Sequence, residues 1–382
     1  MQKATRQQTK NHNTRLILKT IYDAGEISRA DIARATHLTR PTVSSIVADL
    51  IENQFVIEMG QGPSAGGKRP TMLSVAHDAH QLLSIDLGSH QFRGAVLNLR
   101  GEIIHRIDLP PHQLTGEAAL ELAFTLIDQL VAQTTENLLG IGIGTPGLVD
   151  SKAGIILNAV NLNWVDVELR DLVSDRYQKP VYIANDSHMV ALAEFTFGAN
   201  RESNNLIVIK IGRGIGAGVV LHSQPFYGDG MGAGEIGHVV VEENGRSCTC
   251  GNRGCLETVA GTSAILEQAQ ETLDQPNLTW EELVAAFENG ETAVTDLITT
   301  VGHYLGKTTA SLIGSYNIHH IVITGRVALF GQPLLDIIQA EMKKRSMPIM
   351  AEKTEVSFAE FGNEVVMLGC SAMILNEELG II

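Results

Sequence analysis

Three of the four cysteines in this 382-residue chain lie within eight positions, at Cys248, Cys250 and Cys255. His238 precedes the first of them by ten residues. Thiolates and an imidazole are the donors that tetrahedral Zn²⁺ takes, and four protein ligands are typical of a structural site. The alternatives are a disulfide pair, which a reducing cytosol disfavours, and three unrelated buried thiols, which the close spacing disfavours. We therefore predict one structural zinc ion per chain, bound by these four residues.

At 382 residues the chain is long enough for two or three domains, and its hydrophobic fraction of 44% is that of an ordinary globular protein. No apolar run approaches the ~20 residues that a membrane span needs. The charged N-terminus has no apolar region behind it and does not resemble a secretory signal. We expect a cytoplasmic protein without a membrane partner.

The charge is divided unevenly along the chain. The formal net charge is −15, yet residues 1–75 contain ten Lys and Arg against six Asp and Glu, a net charge of +4. The remaining residues therefore carry −19. A basic head on an acidic body is expected when only one end meets phosphate.

Residues 14–55 predict three short helices. The first ends at a turn signal over residues 23–25. The second begins at Ser28, which is expected to cap it, with Asp31 reaching back as in a capping box. The third is expected to begin at Thr39, with Pro41 tolerated in its first turn.

The third helix has the composition of a DNA-recognition helix. One face is apolar at helical spacing, and small polar side chains and one arginine lie outside it near the N-terminal end. Residues of this kind at the start of a recognition helix face base edges in the major groove. In this chain we expect that role for Arg40, Thr42, Ser44 and Ser45. A small helical bundle with a polar outer face is the alternative. The short turn before this helix and the local positive charge favour DNA binding.

A wing follows the third helix. Apolar strands over residues 55–58 and 71–75 flank a glycine-rich tip that carries Lys68 and Arg69. Cations at a wing tip contact phosphates or the minor groove. An ordinary interdomain linker is the alternative. The segment as a whole predicts a winged helix-turn-helix.

The stretch over residues 234–258 resembles the ROK family of sugar kinases and sugar-responsive repressors. It contains Gly-Glu-Ile-Gly-His followed by Cys-x-Cys-Gly-x-x-Gly-Cys-x-Glu. The resemblance implies that Glu235, His238 and Glu257 bind a sugar, and that His238 also binds zinc. Residues 14–75 are similar to the DNA-binding domain of ROK repressors, which ROK kinases lack.

The resemblance also implies the fold. From Gln81 onward strands and helices alternate, as in α/β domains. The order is similar to the two-lobed actin-like ATPase fold of ROK proteins. We expect a winged helix-turn-helix over 1–78 and a first lobe over 79–190 joined by a C-terminal helix over 364–382. A second lobe over 191–363 would hold the zinc site and an oligomerisation surface. Cys370 is expected in the core.

Three further motifs are similar to sugar-binding segments of the family. They add Gly147 at the end of Gly-Ile-Gly-Thr-Pro-Gly, Asn161 in Asn-Leu-Asn-Trp, and the pair Asn185 and Asp186. In ROK kinases the aspartate is the general base, so Asp186 is a vestigial base candidate. Taken alone, an Asn-Asp pair at the end of a strand is more often a helix cap.

The nucleotide motifs depart from the kinase pattern. The first phosphate loop has His90 and Gln91 where the kinases have Thr and Lys, the second has Arg213 for Thr, and the adenosine-side turn has Arg326 for Gly. Arginine can bind phosphate, so each change alone is tolerable. Together they predict that sugar recognition is kept and ATP binding is lost.

These observations predict a regulator with no enzyme activity. We expect a homodimer or homotetramer that binds double-stranded operator DNA, represses carbohydrate uptake or catabolism genes, and is released by a monosaccharide. One alternative is an active sugar kinase with an attached DNA-binding domain. Another is a zinc-bearing kinase whose head only assembles oligomers.

Overall fold

The structure, a computed structural model, describes residues 5–63, 69–88, 91–111, 114–135, 137–199 and 203–382. The chain divides into two compact units. One comprises Met1–Gly144, Glu168–Ile183 and Cys370–Ile382, and the other comprises Thr145–Val167 and Ala184–Gly369. The domain bounds expected from the sequence remain predictions.

The N-terminal head is a winged helix-turn-helix, as the sequence predicts. Strand β3 is central in a three-stranded antiparallel sheet of order β1-β3-β2. The elements are α1 (Arg6–Ala24), β1 (Ile27–Ser28), α2 (Arg29–Thr36), α3 (Arg40–Glu52), β2 (Val56–Gln61) and β3 (Thr71–Val75).

The helix caps of the head follow the sequence, while α1 is longer than predicted. The Ser28 hydroxyl accepts from the Asp31 backbone N–H, and Thr39 caps α3 in the same way through Thr42. The Asp31 carboxylate reaches back to Ser28 and accepts from its hydroxyl at 2.6 Å. Helix α1 begins at Arg6, capped by Thr5. Its first two turns are polar and exposed, so they carry no apolar periodicity that would predict a helix.

The remaining elements alternate between strand and helix. In chain order they are β4 (Gln81–Leu87), β5 (Phe92–Asn98), β6 (Ile103–Leu109), α4 (Gly116–Val131), β7 (Leu138–Thr145), β8 (Leu148–Asp150), β9 (Ile155–Ala159), β10 (Trp164–Val167), α5 (Leu169–Tyr177), β11 (Val181–Asn185), α6 (Asp186–Phe197), β12 (Leu206–Ile211), β13 (Ile215–Leu221), β14 (Gln224–Pro225), α7 (Glu257–Ala260), α8 (Thr262–Leu273), α9 (Trp280–Glu288), α10 (Thr292–Tyr316), β15 (His320–Gly325), α11 (Gly331–Arg345), α12 (Pro348–Ala351), β16 (Glu355–Phe358) and α13 (Val365–Ile374).

Two five-stranded sheets repeat one pattern. The first has the order β11-β7-β4-β5-β6, and the second has the order β14-β13-β12-β15-β16. In each, a parallel pair (β4 with β7, β12 with β15) adjoins an antiparallel meander. This repetition is the mixed α/β, actin-like architecture expected of the body. Cys370 is fully buried beside β4, with its thiol 3.5 Å from the Ile85 carbonyl oxygen.

The side chains on one face of strand β12 pack in the core of the second unit, and those on the other face lie next to helix α6. Ile207, Ile209 and Ile211 belong to the large apolar core of the second unit. Because side chains alternate along a strand, Lys210 lies on the opposite face, where α6 packs on β12 and β13. The sheet thus places one cation beside the first turn of α6.

Candidate metal centre and effector site

The four predicted zinc ligands converge. The donor atoms of His238, Cys248, Cys250 and Cys255 all lie within 4.8 Å of one another. Cys248 Sγ is 3.4 Å from His238 Nδ1, and Cys250 Sγ is 3.6 Å from Cys255 Sγ. Tetrahedral zinc with Zn–S near 2.3 Å and Zn–N near 2.0 Å needs separations of about 3.5 to 3.8 Å. The donor set therefore fits a four-coordinate metal ion.

The backbone of the cysteine loop holds this arrangement. The Cys248 N–H donates to the Asn252 carbonyl oxygen at 2.8 Å. Gly254 has a φ of +70°, and a Cβ there would overlap the Glu242 carbonyl oxygen. A hydrogen bond from the Asn252 backbone is the largest of the effects that lower the pKa of the Cys250 thiol to about 7. A lowered thiol pKa favours the thiolate that a metal ion binds.

His238 presents its two ring nitrogens to different partners. Nδ1 faces the thiol of Cys248, and Nε2 lies 3.9 Å from Glu235 Oε2. The pKa of Glu235 is raised by its partial desolvation and, to a smaller extent, by the negative charges of Asp186 and Glu257. The charge of His238 lowers it. The desolvation is partial, since the Glu235 side chain keeps 41% of its accessible surface. Glu235 therefore lies beside the cluster of candidate metal ligands.

Asn185, Asp186 and Gly147 form a second part of the site. Asn185 caps α6 by accepting from the Ser187 N–H, and its Nδ2 donates to the Gly147 carbonyl oxygen at 2.8 Å. Asn185 therefore caps α6 and also contacts the backbone at Gly147. Asp186 follows in the first turn of α6 and is 8% exposed.

Close backbone packing surrounds Glu257 and Gly147. Glu257 Oε2 accepts from the Ile215 N–H at 3.3 Å, and a Cβ on Gly214 would lie 2.6 Å from it. Gly147 has a φ of +92°, and a Cβ there would overlap the Asn158 carbonyl oxygen. Asn161 lies exposed in a single 3₁₀ turn, Val160–Leu162, which directly follows β9.

Two acids of the kinase-like motifs have cationic partners that the sequence analysis missed. Arg93 Nη1 donates to Asp86 Oδ2 at 3.2 Å, and Lys210 Nζ donates to Asp186 Oδ2 at 2.5 Å. The signal for Lys210 was a single cation in the otherwise apolar strand β12. That signal gives no partner, because the partner depends on which helix covers the strand.

The two arginines that depart from the kinase nucleotide motifs, Arg213 and Arg326, lie in different segments of the second unit. Arg213 is exposed in the turn between β12 and β13. Arg326 forms an ion pair with Glu281 and lies over the Trp280 ring, 5.2 Å from its centroid. Gly325, just before it, has a φ of +110°. His90 lies outside the described residues.

The predicted DNA-contacting residues lie on the outer side of the head. Arg40, Ser44 and Ser45 are exposed on α3, whose opposite face buries Val43, Ile46, Val47 and Leu50. Thr42 is half-buried, and its hydroxyl is 2.8 Å from that of Thr39 in the helix cap. Arg69 is exposed, and Lys68 lies outside the described residues. Among the helices that the structure describes, none has the length and apolar character to cross a membrane.

Comparisons with known proteins cover both parts of the chain. The ROK family model matches residues 82–377, and a model described as winged helix-turn-helix DNA-binding matches residues 10–57. The xylose repressor of Caldicellulosiruptor bescii is 32% identical over 388 residues, covering 97% of each sequence. The glucokinase of Halalkalibacterium halodurans is 30% identical over 314 residues, covering 78% of this chain and 95% of its own.

A solved structure is similar over almost the whole length. It is a ROK family transcriptional regulator described as a homologue of the E. coli MLC protein. It covers 98% of both chains at 27% identity, with a TM-score of 0.87.

Proposed function

The chain belongs to the ROK family, and from that premise we infer that it is a sugar-responsive DNA-binding regulator that represses carbohydrate uptake or catabolism genes. The main support for this proposal is how much of the chain is matched by a repressor and how much by a kinase. The xylose repressor is matched over 97% of this chain, whereas the glucokinase is matched over 78%. The winged helix-turn-helix head is the part that distinguishes a regulator from a kinase.

The head supplies the DNA-binding surface in this proposal. Arg40, Ser44 and Ser45 on α3 face base edges in the major groove, with Thr42 at the start of the same helix. Lys68 and Arg69 at the wing contact phosphate or the minor groove. A homodimer or homotetramer with two-fold symmetry would present two heads and occupy an inverted repeat.

The body supplies the effector site. Asp186, Glu235 and Glu257 accept hydrogen bonds from sugar hydroxyls, together with Asn161, Asn185, His238 and the backbone at Gly147. The relative's name makes D-xylose the first sugar to test. A zinc ion held by His238, Cys248, Cys250 and Cys255 would fix the loop that carries this part of the site, and in that role it supplies structure without a chemical step.

The second candidate is a sugar kinase with an attached head. The glucokinase relative and the position of Asp186 at the start of α6 favour it. Against it stand the cations paired with Asp86 and Asp186 and the arginines at 213 and 326. With ATP, Mg²⁺ and D-xylose or D-glucose, we expect no phosphorylation above background. A turnover of roughly 1–100 s⁻¹, usual for kinases, would favour this candidate.

The direct test of the regulator uses DNA selected from a random pool by the full-length protein. We expect an inverted repeat, and we expect D-xylose to release it in a gel-shift titration. D-glucose serves as the comparison sugar. Selection of no specific sequence, or a selected complex that no monosaccharide affects, contradicts the proposed function.

A further inference from the structure

Lys210 provides a charged group in the effector site that the ROK motifs do not include. Its Nζ donates to Asp186 Oδ2 at 2.5 Å. The two side chains keep only 27% and 11% of their accessible surfaces. An ion pair this sheltered from water is held by its surroundings and is not a mobile surface contact.

The fold fixes both partners of this pair. Asp186 lies in the first turn of α6, where Asn185 caps the helix and the Ser187 hydroxyl donates to Asp186 Oδ1 at 3.3 Å. Lys210 lies near the end of β12, paired with Gly216 on β13 and Thr324 on β15. The two side chains therefore meet between a helix N-terminus and a central strand.

The ammonium group has unused hydrogen-bonding capacity. It carries three N–H donors, and within the described part of the chain Asp186 is its one hydrogen-bond partner. The Asp186 carboxylate likewise has acceptor capacity beyond Lys210 and Ser187. A sugar hydroxyl, which both donates and accepts, complements such a pair.

The neighbouring charges restrict the ligand. Glu235 and Glu257 carry two more carboxylates next to strand β13, which pairs with Lys210: Glu257 Oε2 accepts from the Ile215 N–H, and the Ala217 N–H donates to the carbonyl oxygen of Gly234, the neighbour of Glu235. Three acids against one lysine leave an excess of negative charge, which disfavours a sugar phosphate or a sugar acid. The site is therefore suited to a neutral sugar.

We propose that Lys210 is a specificity-determining residue of the effector site: it holds the Asp186 carboxylate as a fixed acceptor and donates to an oxygen atom of a neutral sugar. This inference rests on the proposed function, since it names a contact of the same site. Bound to an ammonium group, the Asp186 carboxylate keeps free lone pairs and can accept a hydrogen bond from the sugar.

The experiment compares Lys210→Met, which keeps the length of the side chain, with Lys210→Arg, which keeps the charge. Lys343→Met, at an exposed position of α11, is the matched control. Binding of D-xylose and D-glucose to the full-length protein is measured by calorimetry. The 2-, 3- and 4-deoxy derivatives of the sugar that binds are measured in parallel, and melting temperatures report folding.

We expect Lys210→Met to lower the affinity for the sugar by roughly 10- to 100-fold, the range for a lost hydrogen bond to a charged group. Lys210→Arg should retain more affinity, and Lys343→Met should bind as the wild type does. One deoxy derivative should lose less affinity than the others when Lys210 is replaced by Met, since it lacks the hydroxyl that Lys210 contacts. A merely structural role would lower the affinity for all derivatives alike.

The outcomes separate the two proposals. Wild-type affinity in Lys210→Met, or an equal loss for every deoxy derivative, overturns the role of Lys210 and leaves the proposed function intact. Failure of both sugars to bind the wild-type protein overturns the proposed effector site and the role of Lys210 with it.

Discussion

Gly147 shows how a single residue shapes the effector site. Its φ of +92° strains any other residue, and a Cβ would overlap the Asn158 carbonyl oxygen. We expect Gly147→Ala to shift the backbone that Asn185 binds and to weaken sugar binding at least tenfold, measured by calorimetry. Gly290→Ala is the control for backbone strain. Gly290 also has a positive φ, +73°, but no atom lies within 4 Å of the added Cβ, so this variant adds strain without a steric clash. Equal sugar binding by wild type and Gly147→Ala would contradict the placement.

Glu194 makes the stability of the protein depend on pH. It is 2% exposed on α6, and its Oε1 has no hydrogen-bond partner among the described residues. Burial, and then the charge of Glu360, raises its pKa from 4.5 to about 7. Between pH 4.5 and about pH 7, the Glu194 carboxyl group is protonated in the folded chain and ionised in the unfolded chain. The free energy of unfolding therefore falls as the pH rises through this range.

Glu194→Gln should remove this dependence. The cost of the buried charge above pH 7 is about 3 kcal/mol at most, since one pKa unit corresponds to ~1.4 kcal/mol. We expect the variant to melt at a higher temperature than wild type at pH 8 and at a similar temperature at pH 4.5. Glu288→Gln, at an exposed position, is the control. A constant difference across this pH range would show that the side chain does not titrate there.

Residues that act with sequence neighbours were predictable, and residues that act across the sheet were not. The cluster of candidate metal ligands was predictable because Cys248, Cys250 and Cys255 share one loop. Lys210 and Arg93 were missed because each meets its acid only after strands and helices have packed. The Arg93 partner, Asp86, lies directly opposite it in the β4–β5 register. Register is a property of the folded sheet, and sequence spacing gives it only indirectly.

Helix α3 and the wing should contribute differently to DNA binding. Arg40→Ala should cost ~1–3 kcal/mol on the selected operator if Arg40 makes a bidentate guanine contact, and should hardly affect a scrambled duplex. Arg69→Ala should weaken both complexes and reduce their salt dependence, because a phosphate contact carries no sequence information. Binding of both duplexes across a salt series measures this. The reverse pattern would exchange the roles of the two elements.

The cysteine loop should lose its structure with its metal ion. Cys250 is exposed and packs little, so Cys250→Ser should act through metal binding and not through the core. We expect about one zinc per wild-type chain by mass spectrometry, and less in the variant, with weaker sugar binding. Cys370→Ser, far along the chain at a core position, should keep the metal. Wild-type protein purified without chelators but lacking zinc contradicts the prediction.

Elements with strong local signals were found from the sequence, and weakly patterned ones were not. The caps at Ser28 and Thr39 fixed the starts of α2 and α3. Strand β1, with two residues, is too short for any periodicity and forms only because β3 lies beside it. Helix α6 begins at Asp186 because the Asn185 side chain caps it, as is common for an Asn-Asp pair at the end of a strand.

The head is joined to the rest of its unit by polar contacts at the end of the chain. Arg15 and Lys19 on α1 donate to the carbonyl oxygens of Glu377 and Ile381 at 3.0 and 3.1 Å. The Tyr22 hydroxyl donates to the Leu99 carbonyl oxygen at 3.0 Å. These contacts hold the head against the rest of its own unit, so it does not hang on a free linker.

That connection leads to a prediction for the whole regulator. If the sugar changes the separation of two heads, binding to a full inverted repeat should weaken far more than binding to a single half-site. Loss of simultaneous engagement removes an avidity of ~10²–10⁴ without altering any base contact. The sugar can shift this equilibrium only by its difference in affinity for the two states.

Full-length protein is therefore titrated with D-xylose on full-site and half-site duplexes of equal length. Glu257→Gln, which should bind DNA without responding, is the control. Equal weakening on both duplexes would place the sugar's effect in the head itself, and tightening on the full site would reverse the sign of the response.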